Sequence, residues 1–80
     1  MDNDNMIYKV FYNLGDAKVE AYCGEFAHEA HYVVQVGVAV VGINGHTAVT
    51  VESHLGDVLV ERVTYGKHGK RISLEHYNAY

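Results

Sequence analysis

The chain is 80 residues long, 49% hydrophobic and 20% charged, with a net charge of −4, seven Tyr, one Cys, and neither Trp nor Pro. A chain of this length forms one domain that buries about 60–65% of its unfolded surface, which argues against a deep active site, while the apolar content excludes disorder. Cys23 alone cannot form an internal disulfide, so a reducing cytoplasm is the expected location, and no apolar run reaches the length of a membrane span.

The first five residues, "MDNDN", read as a flexible acidic leader without the basic start or apolar stretch of a signal peptide, and residues 6–80 read as a single β-rich domain. From Met6 the even positions Met6, Tyr8, Val10, Tyr12 and Leu14 are apolar and the odd ones are mixed, which predicts a strand with one buried face. Gly15-Asp16 suits a two-residue type II′ turn that pairs Tyr12 with Val19, Val10 with Ala21 and Tyr8 with Cys23. Cys23 is then expected in the core as an inert thiol.

The stretch "EFAHEAH" follows. Phe26, Ala27, Ala30, Val33 and Val34 recur at helical spacing, predicting a short helix from about Glu25 to Val33 with Glu25, His28, Glu29 and Tyr32 turned to water. Next, Asn44-Gly45 sits between alternating β-branched residues and predicts a type I′ hairpin from Val34 to Leu55. That register sets Val40 opposite Val49 and Val38 opposite Val51 on an apolar face. Val41 with Ala48 and Ala39 with Thr50 then form a half-polar one.

A last hairpin, with strands near 57–65 and 70–77, turns around Gly66–Gly69 and requires a bulge near Glu61-Arg62 to keep its phase. The predicted order is β-β-α-β-β-β-β: an α+β fold, mostly antiparallel sheet built from hairpins with one short helix. No internal repeat or linker is expected.

None of the motifs fixes a chemistry. His28 and His31 are three apart, whereas the zinc-protease pattern needs histidines four apart, so no metal site and no cofactor are expected. "GKHGKR" lacks the spacing and the hydroxyl of a P-loop. The segment "YGKHGKRI" resembles the Gly-Lys-x-Gly loop of K homology domains at Gly66, Lys67, Gly69 and Ile72, which would imply a clamp on single-stranded nucleic acid. Such domains hold that loop between two helices, and here both flanks alternate as strands. Ser53, Ser73 and Cys23 lie in no nucleophile context, so a non-enzyme is expected.

Charge divides unevenly: residues 1–60 carry eight acids against Lys9 and Lys18, a balance of −6, and residues 61–80 carry four bases against two acids, a balance of +2. The sequence therefore predicts a small protein-binding module, an inhibitor or accessory protein of the type phages direct at a host complex, with a homodimer as its resting state. Phe11, Tyr22, Val41 and Thr50 on the half-polar faces are the candidate contacts. The alternative is a nucleotide or nucleic acid held by the basic tip residues Lys67, His68, Lys70 and Arg71.

Overall fold

The computed structural model describes residues 5–77, so the expected leader lies, Asn5 apart, outside the described residues. The elements are β1 (Met6–Leu14), β2 (Ala17–Gly24), α1 (Ala27–Ala39), β3 (Ala48–Leu55), β4 (Val58–Tyr65), a single 3-10 turn at Lys67–Gly69, and β5 (Arg71–His76). All five strands join one antiparallel sheet in the order β2-β1-β3-β4-β5. The α+β class, the antiparallel sheet and its hairpins are as the alternation predicts.

The first and third strands follow the predicted phase. Val10 is fully buried with Tyr8 and Tyr12 packed beside it, and Val49 and Val51 face the same core from β3. Two of the three hairpins in the sheet close through the same tripeptide, Leu14-Gly15-Asp16 and Leu55-Gly56-Asp57, with Leu14 opposite Ala17 and Leu55 opposite Val58. Only the glycine of each loop has positive φ, 65° and 62°, which is the type II′ pattern. The sequence thus does contain a short repeat, and it marks the turns.

The segment from Val34 to Val41 is corrected. Residues 34–39 continue α1 and Val40 and Val41 form the turn that closes it, so no strand forms there and the order is β-β-α-β-β-β. Ala30, Val34, Gly37 and Val41 are buried at intervals of four, three and four, a helical period hidden beneath the alternating valines. β-branched residues cost a helix only some tenths of a kcal/mol each. A helix already begun at Ala27 propagates through them more readily than a strand nucleates with Gly37 at its centre.

Asn44-Gly45 still makes the predicted local turn. Both residues have positive φ, 51° and 83°, and the His46 N–H donates to the Ile43 carbonyl at 3.0 Å. That turn joins helix to strand, and Thr47 then anchors it by donating from its backbone N–H to the Asn13 carbonyl at 2.8 Å. Val41 is buried in the core and does not share a half-polar face with Ala48.

Three irregularities reset the faces. In β2, Ala21 is an extra residue, so Val10 pairs with Tyr22 and Lys9 with Cys23. The bulge turns Tyr22 toward the helix and leaves Cys23 exposed, correcting its expected burial. In β4 the extra residue is Val60, beside the predicted Glu61-Arg62 position, and in β5 it is Ile72.

Helix α1 crosses the face of β1 and β3 at Gly37. A Cβ placed there would meet the Tyr12 ring at 2.5 Å and the Val49 methyl at 2.7 Å, so the helix backbone rests directly on the sheet. The Tyr12 hydroxyl donates to the Val33 carbonyl at 2.7 Å, fixing the helix along its own length. Its start has no side-chain cap; the Tyr22 hydroxyl donates to Glu29 at 3.0 Å and ties the first turn to β2.

Gly37→Ala tests this crossing. In an exposed helix that change stabilises by about 1 kcal/mol. Here it should lower the melting temperature, whereas Ala39→Gly on the exposed side should cost about the usual 1 kcal/mol. A Gly37→Ala protein as stable as its parent in thermal or urea melts would show that α1 does not lie against Tyr12 and Val49.

Candidate interaction surfaces

The sheet has one face under α1 and one face with no second layer among the described residues. Register places Glu20, Phe11, Thr50, Thr64 and Ser73 in one row across the uncovered face, and Lys9, Glu52, Arg62 and Glu75 in the next. The predicted half-polar residues Phe11 and Thr50 are therefore cross-strand neighbours. Tyr22 lies on the opposite face and Val41 in the core, so the four candidates do not form one surface.

The uncovered face is held by polar side chains. Thr50 is 5% exposed and Glu52 only 7%. The Asn13 side-chain amide donates to the Thr50 hydroxyl at 3.0 Å, and that hydroxyl lies 3.2 Å from the hydroxyl of Thr64. Arg62 is the centre of the second row: its Nε donates to Glu52 at 3.1 Å and its Nη1 to Glu75 at 2.9 Å. His54 Nε2 meets the other Glu52 oxygen at 2.9 Å, and the Tyr77 hydroxyl donates to Glu75 at 2.9 Å. Lys18 Nζ sits 4.6 Å above the Phe11 ring and screens that aromatic from water.

This network was the principal feature missed in the sequence. Glu52 and Arg62 are ten residues apart and meet only because the Leu55-Gly56-Asp57 turn pairs β3 with β4. The repeated tripeptide was the signal that could have found it.

The network also sets the charge of its acids. Burial pushes the Glu52 carboxyl up, but the hydrogen bonds from His54 and Arg62 and their nearby charge outweigh it and hold the carboxyl below its ordinary range. The hydrogen bonds from Arg62 and Tyr77 likewise lower Glu75. Both acids thus favour the ionised form in the folded protein.

The basic tip joins β4 to β5. Lys67, His68, Lys70 and Arg71 are all exposed, His68 has φ 63°, and the Gly66 N–H donates to the Lys70 carbonyl at 2.7 Å. The tip packs beside the second half of α1, leaving a groove of about 320 Å³ lined by His31, Val34, Gln35, Val38, Tyr65 and Gly69. The loop lies between two strands, so the helical context of a K homology loop is absent. A second groove, between α1 and β2, is lined by Tyr22, His28, Glu29, Tyr32 and Val33.

Among the described residues, no three His, Cys, Asp or Glu side chains converge in a way that could hold a metal ion. His28 and His31 are both exposed on α1, His31 lying 3.0 Å from the Gln35 amide. No helix among the described residues is long and apolar enough to cross a membrane.

The acid limb of stability tests the Arg62 network. A carboxyl whose folded pKa is depressed contributes stability that is complete above the unfolded value, about 4.3 for Glu, and is lost as pH falls through the folded pKa. Glu52→Gln should therefore lower the melting temperature at neutral pH and flatten its decline below about pH 4.3. An unchanged acid limb in that variant would mean that Glu52 is not the ionised partner of Arg62. Comparison with protein-family models, curated proteins and solved structures finds no match.

Proposed function

We propose that this chain is a non-enzymatic protein-binding module that offers the outer side of α1 to an apolar groove on its partner. The observation that carries the reading is the apolar stripe on that side. Tyr32 is 67% exposed and Val36 42%, and exposed Ala39 extends the line to the end of the helix. A helix presenting residues at i, i+4 and i+7 is suited to docking in a groove. Glu25 and Glu29 at its start favour a partner with basic residues at the groove's rim.

The uncovered sheet face is less suited to this task. Glu52, Arg62 and Glu75 at its centre are already paired with one another, and a partner would have to strip their remaining water without supplying better bonds. Of the contacts expected from sequence, Phe11 remains the one apolar group there, beneath Lys18. Size, acidity and cysteine poverty support an inhibitor or accessory role of phage type, acting in the cytoplasm on a host complex. Self-association belongs to the same reading.

Tyr32→Asp and Val36→Asp should leave the melting temperature close to the parent's and abolish recovery of the partner from native lysate. Lys67→Glu with Lys70→Glu should leave recovery intact. Retention of the partner by both helix variants would sink the assignment of α1.

The exposure of all four basic tip residues favours one second reading, an anion ligand at the tip. Nucleotide or single-stranded nucleic acid should then bind weakly, with affinity falling steeply as salt rises. Nanomolar or salt-insensitive nucleotide binding would instead place that activity first.

A further inference from the structure

Helix α1 sits over β1 and β3, so β4 and β5 extend beyond it as a wing of the same sheet face. Three cross-strand pairs stand on that side of the wing: Tyr65 with Arg71, Val63 with Leu74, and Glu61 with His76. The groove between helix and tip is one end of a longer channel in the angle between α1 and this wing. A second hollow of about 160 Å³ continues it toward the start of the helix, lined by Tyr8, Ala27, Val51 and Ser53, and shares His31, Val34 and Tyr65 with the first. We propose that this channel binds a single medium-chain alkyl carboxylate, with its head beside Arg71 and its tail running past Val34 toward Ser53.

The shape selects a chain. His31 to Val38 is seven residues of helix, about 10 Å at 1.5 Å per residue, so about 320 Å³ over that length leaves a cross-section of about 30 Å². That is room for one extended alkyl chain and too narrow for a nucleoside with its sugar. A peptide strand is no better suited. β3 and β4, which form the floor, are each paired on both sides, so the channel has no backbone ladder to extend. What it offers is apolar: Val34, Val38, Val51 and the rings of Tyr8 and Tyr65. On the helix wall the Gln35 amide and the His31 ring lie 3.0 Å apart and satisfy each other.

Charge selects the head group and its direction. No acid lines either hollow. At the tip end Arg71 stands beside Tyr65 on the channel's side of the sheet, and Lys67 and Lys70 belong to the same turn as the Gly69 that closes this end. Among the described residues none of these three bases is in an ion pair. At the other end Glu61 lies opposite Ser53 on the same side. A carboxylate is therefore attracted at one end of the channel and repelled at the other. The net charge of −4 opposes anions in general, so binding of one reports this local arrangement. Arg71 matches the head best, since a guanidinium can donate to both carboxylate oxygens at once.

NMR titration of ¹⁵N-labelled protein with sodium decanoate, kept below its micelle concentration, tests the site. Saturable shifts should map to residues 31–38 and 65–71. Decanol should bind at least tenfold more weakly. Along hexanoate, octanoate and decanoate the affinity should rise about two- to fourfold per methylene, as burial of each CH₂ dictates. Arg71→Glu, at an exposed position, should leave the melting temperature unchanged, weaken decanoate at least tenfold and turn the preference toward decylammonium.

An Arg71→Glu protein that holds decanoate as tightly as its parent would overturn the head-group assignment. An affinity independent of chain length would overturn the apolar channel. Shifts confined to the uncovered sheet face, or no saturable shift at low millimolar decanoate, would overturn the site altogether. Recovery of a protein partner by the Tyr32 and Val36 variants is a separate readout, so failure of the channel leaves the protein-binding reading standing.

Discussion

The close approach of α1 to the sheet at Gly37 governs the rest of the fold. Because position 37 has no side chain, the helix backbone comes down onto Tyr12 and Val49, and Ala30, Val34 and Val41 reach the core on either side of it. A larger residue would lift the helix and separate Val10 and Val49 from the groups that bury them. With a single helix seated over β1 and β3, the core is small and centred. β5 lies beyond the helix's reach, which is why Ile72 and Leu74 stay exposed while Val63 on the neighbouring strand is buried.

The uncovered face shows how a sheet with one layer can still order its second side. Paired polar groups replace an apolar layer: Thr50 and Glu52 are buried by neighbouring side chains in the same sheet. Glu52 tolerates that position because Arg62 and His54 supply hydrogen bonds to both of its oxygens. Arg62 serves two carboxylates on opposite neighbouring strands, so it links β3 to β5 across β4. A planar guanidinium with several donors can do this; a lysine at the same place would satisfy one acid at a time. The Asn13 side-chain amide oxygen, Oδ1, is buried without a partner, the single side-chain atom of this kind among the described residues.

Much of this architecture was legible in the sequence where local chemistry and burial agree. The alternation of Tyr8, Val10 and Tyr12 identified the core face of β1, and the division of β3 into Val49 and Val51 against Thr50 and Glu52 was also readable. The segment from Val34 to Val41 was not. Its valines alternate as a strand's do, but Ala30, Val34, Gly37 and Val41 also satisfy a helix, and both periods are present in the same letters. What decides between them is the contact of Gly37 with Tyr12, a residue 25 positions away, and no local window contains it. Asn44-Gly45 compounds the ambiguity, since its turn forms as expected while the flanking segments differ from those such a turn usually joins. The bulge at Ala21, equally silent in the sequence, exchanged Tyr22 and Cys23 between faces.

The same constraint connects the two surfaces left for partners. A helix that buries Ala30, Val34 and Gly37 must turn Tyr32, Val36 and Ala39 outward, since a 13-residue helix over one sheet face has only one side to bury. Had the chain supplied a second helix, that stripe and the edge at β5 would both be candidates for covering within the same domain. With one helix, each is left to another molecule, and they differ in kind. The stripe offers side chains alone and selects by shape and by the acids at its end. The edge offers backbone groups as well, and backbone pairing tolerates many sequences, so its selectivity must come from register. The stripe is therefore the more selective of the two, and α1, seated over β1 and β3, does not reach the edge at β5.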